Sequence, residues 1–321
     1  MGGDRKDQLC TGEGESMVKS VIANVSDTAR WVAEYRARES ARPDALFSDP
    51  LAAGLAGERG RVIADEAKRS FGNGWFFIAR TKLIDDLVAR CVADGCDRVI
   101  NLAAGLDTRP YRLDLPAELE WIEVDLAGIV EEKNRVLAHE KPRCRLTRVP
   151  VDLTDGEARR AFLKEATQGA DQGAAQGAAQ GAAQGAAQGA AQGQPGRTLV
   201  ITEGLLLYLS ESEVRGVMSD LKSSGITWWI ADIISPAVVK LSDRASKKNN
   251  APVVFGPANG IGFFEEAGWT VERFASQLPA AAKWKRLSPF MRLLSLFPQP
   301  DPRQPRRAPW SAVVRLRNGA A

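Results

Sequence analysis

The sequence contains very little histidine and few cysteines. Its 321 residues include one histidine, His139, and four cysteines, Cys10, Cys91, Cys96 and Cys144. One histidine cannot supply a metal site that needs two histidine ligands, and a histidine-based catalytic triad is nearly excluded. The cysteines form no C-x-x-C pair, so we expect no zinc or other metal. Free thiols in a reducing cytoplasm are the default expectation.

Long apolar runs are missing as well. No apolar stretch approaches the ~20 residues that cross a membrane, and the first sixteen residues are polar and lack the apolar core of a signal peptide. Charged residues make up 26% and hydrophobic residues 44% of the chain, which is typical of a folded globular domain. We therefore expect a cytoplasmic protein without stable membrane association.

Charge is unevenly distributed along the chain. The net charge is +3, yet the segment from Lys283 onward holds nine basic residues and one acid, Asp301, so the rest is acidic. A basic tail can mark contact with phosphate or an anionic surface. Prolines interrupt this tail, so we favour a solvated loop and an edge strand, and we expect no nucleic-acid partner.

A repeat of the type QGAA occupies residues 168–193 and holds seven glycines. Glycine costs about 1 kcal/mol relative to alanine in a helix, so a stable helix is not expected. We predict a flexible and dispensable insertion over 168–196, on the sheet edge opposite the ligand.

Residues 1–20 are predicted to be disordered. Residues 21–321 are predicted to form one domain with a helical cap over 21–75.

Short apolar runs alternate with helical stretches through the middle of the chain. This alternation predicts a doubly wound α/β fold, in which helices cover both faces of a mostly parallel sheet. Two apolar runs near the end of the chain are predicted to form the last strands. The predicted strands are 98–102, 120–124, 146–151, 198–202, 227–230, 269–274 and 312–316. The predicted helices are 26–42, 78–93, 129–140, 157–166 and 211–223, with a further short element over 46–60.

Acidic residues follow four of the predicted strands at or near the point where each strand ends. These residues are Asp125, Asp152, Glu203 and Asp232. Ligands of open α/β sheets bind at the carboxyl ends of the strands, so these acids are expected at one binding edge. Such an edge suits hydroxyl and amine groups and repels polyphosphate. The alternative is that each acid only ends its strand or caps a helix.

The turn after the first predicted strand is rich in small residues, which let the backbone approach a ligand. The sequence there is VINLAAGLDTR, and only Ala103 and Gly105 hold glycine-motif positions, so this is not G-x-G-x-x-G. Asp125 follows twenty residues after Gly105. An acid at that spacing is the usual partner of a ribose diol, in NAD and S-adenosylmethionine alike.

Seven segments follow one another in order between residues 26 and 270. They are SDTARWVAEYRARESARPDALFSDPLA, FFIARTKLIDDLV, VINLAAGLDTRPYRL, WIEVDLAGIVEEK, PVDLTD, TEGLLLYLSESEV and GIGFFEEAGW. With these segments the chain resembles the leucine carboxyl methyltransferase-like family of class I S-adenosylmethionine-dependent methyltransferases, especially its bacterial branch. The resemblance implies a Rossmann-like methyltransferase sheet with a late antiparallel strand, an N-terminal helical cap, and S-adenosyl-L-methionine as cofactor.

The resemblance also implies roles for individual residues. The family glycine at position 103 is Ala103 here, which the turn tolerates if its φ is negative. Tyr208 is implied as a substrate-pocket residue, with a core aromatic as the alternative. The implied cofactor ligands are Arg80 at the methionine carboxylate, Gly105 beneath the cofactor, Asp125 at the ribose, Asp152 and Leu153 at the adenine, and Glu203 at the α-ammonium group.

The acceptor is a small molecule of unidentified structure, and no catalytic residue stands out. A carboxylate is already ionised at pH 7 and needs no base, whereas an alcohol needs one. The scarcity of histidine therefore favours a carboxylate or an acidic hydroxyl as the methyl acceptor.

The cap and residues 283–297 are expected to cover the acceptor pocket, with membrane-surface contact of 283–297 as the alternative. Two rival functions are an NAD-dependent oxidoreductase and a non-catalytic interaction protein. The oligomeric state stays open.

Overall fold

The structure is a computed structural model, and the residues it describes are 25–71, 73–167, 196–246, 252–304 and 308–319. Residues 1–20, which were predicted to be disordered, lie outside this part of the chain. The predicted insertion over 168–196 also lies outside it, except for its last residue.

Within the described residues, seven strands form one sheet in the order β3-β2-β1-β4-β5-β7-β6. Neighbours from β3 to β5 pair in parallel, whereas β7 is antiparallel to both β5 and β6. The predicted doubly wound, mostly parallel fold with a late antiparallel strand is confirmed. The strands are β1 Cys96–Leu102, β2 Glu120–Asp125, β3 Arg145–Pro150, β4 Arg197–Thr202, β5 Trp228–Ile234, β6 Trp269–Ser276 and β7 Ser311–Asn318.

The central strands are continuous apolar runs because helices cover both faces of the sheet. In β1, Val99 and Ile100 point to opposite faces and both are fully buried. The same is true of Val313 and Val314 in β7. The expectation of an edge strand in the basic tail is therefore wrong: β7 lies between β5 and β6, because both of its faces are apolar.

Helices and one short 3-10 turn connect the strands. The predicted element over 46–60 differs from the observed helix α2, which begins at Ala52, just after Pro50. Proline disfavours helix at the residue before it, which places the start after position 50. The helices are α1 Val25–Ser40, α2 Ala52–Phe71, α3 Trp75–Ala93, α4 Arg109–Arg112, α5 Ala127–Val136, α6 156–167, α7 Glu211–Ser223, α8 Pro236–Ser246, α9 Gly262–Glu266, α10 Gln277–Lys283 and α11 Pro289–Leu294.

The first helices pack against the carboxyl end of the sheet. Trp31 of α1 and Phe77 of α3 meet edge to face with ring centroids 4.9 Å apart. Arg36 of α1 donates to the carbonyl of Leu106, in the turn after β1, over 2.5 Å. These contacts place α1 and α3 beside the strand ends that bear the predicted site residues.

Candidate functional site

A cavity of about 1280 Å³ opens at the carboxyl ends of the strands. The four acids that were predicted to follow the strands all line it, although Asp232 lies within β5, which extends to Ile234. The seven residues singled out from the sequence, Arg80, Gly105, Asp125, Asp152, Leu153, Glu203 and Tyr208, also line this cavity. The topology thus brings together residues that lie up to 128 positions apart in the sequence.

The turn after β1 has two residues in the left-handed region, Ala103 with φ 54° and Gly105 with φ 49°. The condition under which the turn was expected to tolerate alanine, a negative φ at Ala103, is not met. The amide of Ala104 donates to the Val124 carbonyl of β2 over 3.1 Å, and the amide of Gly105 donates to Asp125 over 2.6 Å. These two bonds hold the turn in a conformation that costs an alanine about 1 to 2 kcal/mol.

Asp125 ends β2 and supports the same turn. Its second oxygen, Oδ1, accepts the Leu126 amide over 2.8 Å. Burial raises the pKa of the Asp125 carboxyl, and the amide hydrogen bonds from Gly105 and Leu126 only partly offset this. Each carboxylate oxygen has two lone pairs, so both oxygens retain acceptor capacity toward the cavity.

Arg80 of α3 lies between the carboxylate that follows β4 and a carboxylate within β5. Its Nε donates to Glu203 over 2.9 Å, and its Nη1 donates to Asp232 over 3.0 Å. Asp232 also accepts the amide of Gly204 over 2.7 Å. Gly204 has φ 68°, and an added Cβ would lie 3.4 Å from Arg80 Nη1. The surface-arginine alternative for Arg80 is wrong, because its side chain is buried.

Arg109, at the start of α4, is a site residue that the sequence reasoning missed. Its guanidinium donates to Asp85 over 2.7 Å, to Asp107 over 2.9 Å and to Glu203 over 2.7 Å. Arg112 adds a second cation on Asp85. The signal was present in the sequence as the charged run DTRPYR directly after the small-residue turn.

These groups form an ion-pair cluster of four carboxylates and three guanidinium groups, which leaves one negative charge. Burial raises the pKa of Glu203, but Arg109 and Arg80 outweigh it and hold that pKa below its usual value. Burial raises the pKa of the Asp232 carboxyl, and Arg80 and the Gly204 amide only partly offset this. Glu203 is therefore the carboxylate of the cluster that its two arginines hold ionised, and it suits a cationic ligand group. Its members are Arg80, Asp85, Asp107, Arg109, Arg112, Glu203 and Asp232.

The turn after β3 contributes one exposed acid and one apolar side chain. Asp152 accepts hydrogen bonds from the amide and the hydroxyl of Thr154, over 2.9 Å and 2.7 Å, and these bonds lower the pKa of its carboxyl. Leu153 is half-buried against the main apolar core. A polar group therefore stands beside an apolar surface here, as a flat heterocycle with an exocyclic amine requires.

Tyr208 closes the 3-10 turn Leu206–Tyr208 that follows β4. It lines the cavity and is half-buried. Burial raises the pKa of its phenol, while Arg80 and a hydrogen bond with Thr28 act in the opposite direction. Tyr208 therefore carries a protonated hydroxyl at neutral pH. Thr28 of α1 is a further lining residue that the sequence did not single out.

Two kinds of feature are missing from the described residues. They contain no group of three or more histidine, cysteine, aspartate or glutamate side chains arranged to hold a metal ion. Nor do they contain a helix whose length and apolar character would let it cross a membrane. Cys91, Cys96 and Cys144 are free and buried.

Comparisons with known proteins show the family to which the chain belongs. The family model of leucine carboxyl methyltransferase matches residues 29–176. A protein of Frankia alni, assigned as an S-adenosyl-L-methionine-dependent methyltransferase, is 33% identical over 274 residues, which cover 79% of this chain and 86% of the relative. A relative of the same assignment in Streptomyces coelicolor is 37% identical over 155 residues, 45% of this chain and 54% of the relative.

Two crystal structures share the fold at low sequence identity. A DUF574 family protein from Streptomyces avermitilis has a TM-score of 0.54 and 13% identity, over 92% of this chain and 98% of that protein. A protein of Thermobifida fusca, assigned as a methyltransferase, has a TM-score of 0.51 and 14% identity, over 97% of this chain and 99% of that protein.

The rival functions of an NAD-dependent oxidoreductase and a non-catalytic interaction protein are set aside by the Frankia relative. The chain belongs to the leucine carboxyl methyltransferase-like family of S-adenosyl-L-methionine-dependent methyltransferases.

Proposed function

We propose that the protein is an O-methyltransferase that acts on a carboxylate or an acidic hydroxyl of a small molecule. One observation carries this proposal. Among the described residues that line the cavity there is no histidine and no lysine. Every acid among them already accepts a hydrogen bond from an arginine, an amide or a hydroxyl.

Such a cavity offers no ready general base. An alcohol or an ammonium acceptor must lose a proton before it can attack, and a base with a pKa near neutrality serves that step. A carboxylate needs no base at pH 7, and an acidic hydroxyl needs little help. S-adenosyl-L-methionine, when bound, supplies an electrophilic methyl group. The remaining work of the protein is to position the acceptor and exclude water.

The residues at the strand ends fit this cofactor. Arg80 uses Nε and Nη1 for Glu203 and Asp232, and its Nη2 forms no hydrogen bond with the described residues. That nitrogen would hold the methionine carboxylate. Glu203 keeps lone pairs for the α-ammonium group, and the negative charge of the cluster favours such a cation.

The other end of the cofactor would meet the turns after β1, β2 and β3. Asp125 keeps acceptor capacity for the ribose hydroxyls. Gly105 passes beneath the cofactor, where an added Cβ would already meet Ala29 at 3.4 Å. Asp152 would accept from the exocyclic amine of the adenine, and Leu153 would pack against its ring.

Tyr208 would contact the acceptor. Its phenol stays protonated at neutral pH and can donate a hydrogen bond to an acceptor oxygen. It lines the cavity next to the cluster that would hold the methionine end. This hydroxyl positions the acceptor and is not required as a base, because the acceptor arrives ionised.

The test has two parts. Thermal unfolding with S-adenosylhomocysteine and with NAD first establishes cofactor choice, and we expect stabilisation by the former only. The protein is then incubated with methyl-labelled S-adenosylmethionine and a panel of carboxylic acids, phenols, aliphatic alcohols and amines. We expect label in esters of acids or ethers of acidic phenols. Label only in alcohols or amines would overturn the proposal.

A further inference from the structure

Charge is strongly segregated within the cavity. All of its charged lining residues in the described chain lie on α1, α3 or α4, within β5, or at the ends of β1 to β4. The described lining residues from position 238 onward are uncharged. They include Val238, Leu241, Gln277, Leu278, Met291 and Leu294.

This uncharged half of the cavity has an apolar wall built by three helices. Trp75 of α3, Leu278 of α10 and Met291 of α11 pack on one side against the small cluster of Ala79, Ala281 and Leu287. The same three side chains also line the cavity. Arg80 lies five residues after Trp75 on α3, so this helix runs from the apolar wall to the ion-pair cluster.

The volume of the cavity exceeds the volume that one small ligand needs. Pockets for drug-sized molecules measure about 300 to 1,000 Å³, whereas this cavity measures about 1280 Å³. The charged half suits the polar cofactor. The uncharged half is left for the acceptor, and a charged group placed there would lose its hydration without gaining a partner.

We infer that the acceptor is an elongated apolar molecule with a single acidic group at one end. The inference rests on the proposed function, since the acidic group is the site of methylation. The acidic end lies beside Tyr208, and the apolar body extends along Trp75, Leu278 and Met291 toward Leu294. Molecules with a second charge at the far end are disfavoured, because the lining residues there offer no ionic partner.

Binding of alkanoic acids tests this inference without requiring catalysis. Straight-chain monocarboxylic acids of about six to about fourteen carbons are titrated calorimetrically into the full-length protein in the presence of S-adenosylhomocysteine, below the concentrations at which they form micelles. We expect Kd to fall about fourfold per added methylene, the fold-change of about 0.8 kcal/mol. The α,ω-dicarboxylic acids of equal length are expected to bind at least about tenfold more weakly, because their second carboxylate is desolvated.

Two neighbouring leucines of α11 provide a matched pair of variants. Leu294 lines the cavity, whereas Leu293 is 59% exposed and does not line it. Leu294→Glu is expected to abolish the dependence of Kd on chain length, and Leu293→Glu is expected to keep it. Both variants should bind S-adenosylhomocysteine as the unchanged protein does.

The outcomes separate the two proposals. Chain-length-dependent binding without methyl transfer to any acid would overturn the proposed reaction and keep this inference. Methylation of acids with a Kd that is independent of chain length, or equal binding of the dicarboxylic acids, would overturn this inference and keep the reaction. An equal loss in Leu293→Glu and Leu294→Glu would also count against the apolar wall.

Discussion

The guanidinium group of Arg109 donates to Glu203 over 2.7 Å and so joins the turn after β1 to the turn after β4. The two residues are 94 positions apart, and β1 and β4 are neighbours in the sheet. Glu203 thereby accepts from Arg109 on one oxygen and from Arg80 on the other. The orientation of this acid depends on a residue outside the cofactor ligands that the sequence suggested.

Replacing Arg109 should be strongly destabilising. Arg109→Met leaves Asp85, Asp107 and Glu203 short of a buried cation, and breaking a buried pair costs about 3 to 5 kcal/mol. Urea unfolding measures this change. The matched control is Arg215→Met, because Arg215 pairs with Glu211 over 2.8 Å at an exposed site. Loss of an exposed pair is expected to lower the free energy of unfolding by about 0 to 1 kcal/mol. Equal losses in the two variants would show that the buried cluster contributes no special stability.

Asp125→Asn should weaken cofactor binding while preserving the fold. The amide keeps one oxygen for a backbone donor but loses the charge and part of the acceptor capacity. Hydrogen bonds to charged groups contribute about 1.5 to 3 kcal/mol, so the Kd of S-adenosylhomocysteine should rise about 10- to 100-fold. Calorimetry measures the Kd, and the melting temperature shows whether the fold is preserved. Asp114→Asn, at an exposed position outside the cavity, should leave the Kd unchanged, and an unchanged Kd in Asp125→Asn would refute the ribose assignment.

Ala103→Gly should stabilise the protein by about 1 kcal/mol, because glycine adopts φ 54° without the penalty that alanine incurs. Ala104→Gly, one residue later, serves as the matched control. Ala104 does not have a positive φ and is buried, so glycine there adds flexibility to the unfolded chain and removes a buried methyl group, and it should destabilise by about 1 to 2 kcal/mol. The midpoints of denaturant unfolding compare the two. A decrease in stability for both variants would mean that the turn relaxes around Ala103.

The buried thiols should be unreactive in the native protein. Burial raises the pKa of Cys91 and of Cys144 to about 11 and that of Cys96 to about 12. Unfolded thiols ionise near pH 8.5. A raised native pKa means that the unfolded state loses protons first as pH rises, so the free energy of unfolding should decline above about pH 8.5.

Thiol labelling checks this prediction most directly. Cys10 lies outside the described residues, so in a Cys10→Ala variant the three buried cysteines are the only thiols that remain. At pH 8 a disulfide reagent should label them slowly in buffer and completely in guanidinium chloride. Fast labelling in buffer would contradict their burial.

The sequence predicted the sheet and the positions of its acids because both follow from local patterns. Asp125 had to reach the binding edge once its apolar run was a parallel strand, since all such strands end at one edge. The network around Arg109 could not be predicted in this way, because its partners Asp85 and Glu203 come from α3 and from the turn after β4. The φ of Ala103 likewise depends on a hydrogen bond to β2, which no local pattern encodes.

The position of β7 between β5 and β6 has a consequence for synthesis on the ribosome. Trp269–Ser276 emerges before Ser311–Asn318, yet its only strand neighbour among the described residues is β7. Until residues 311–318 leave the exit tunnel, β5 presents an open edge and β6 has nothing to pair with. Late in translation the nascent chain therefore carries an open edge on β5 and an unpaired β6, and a ribosome stalled before residues 311–318 emerge would display the edge to which chaperones and other chains attach.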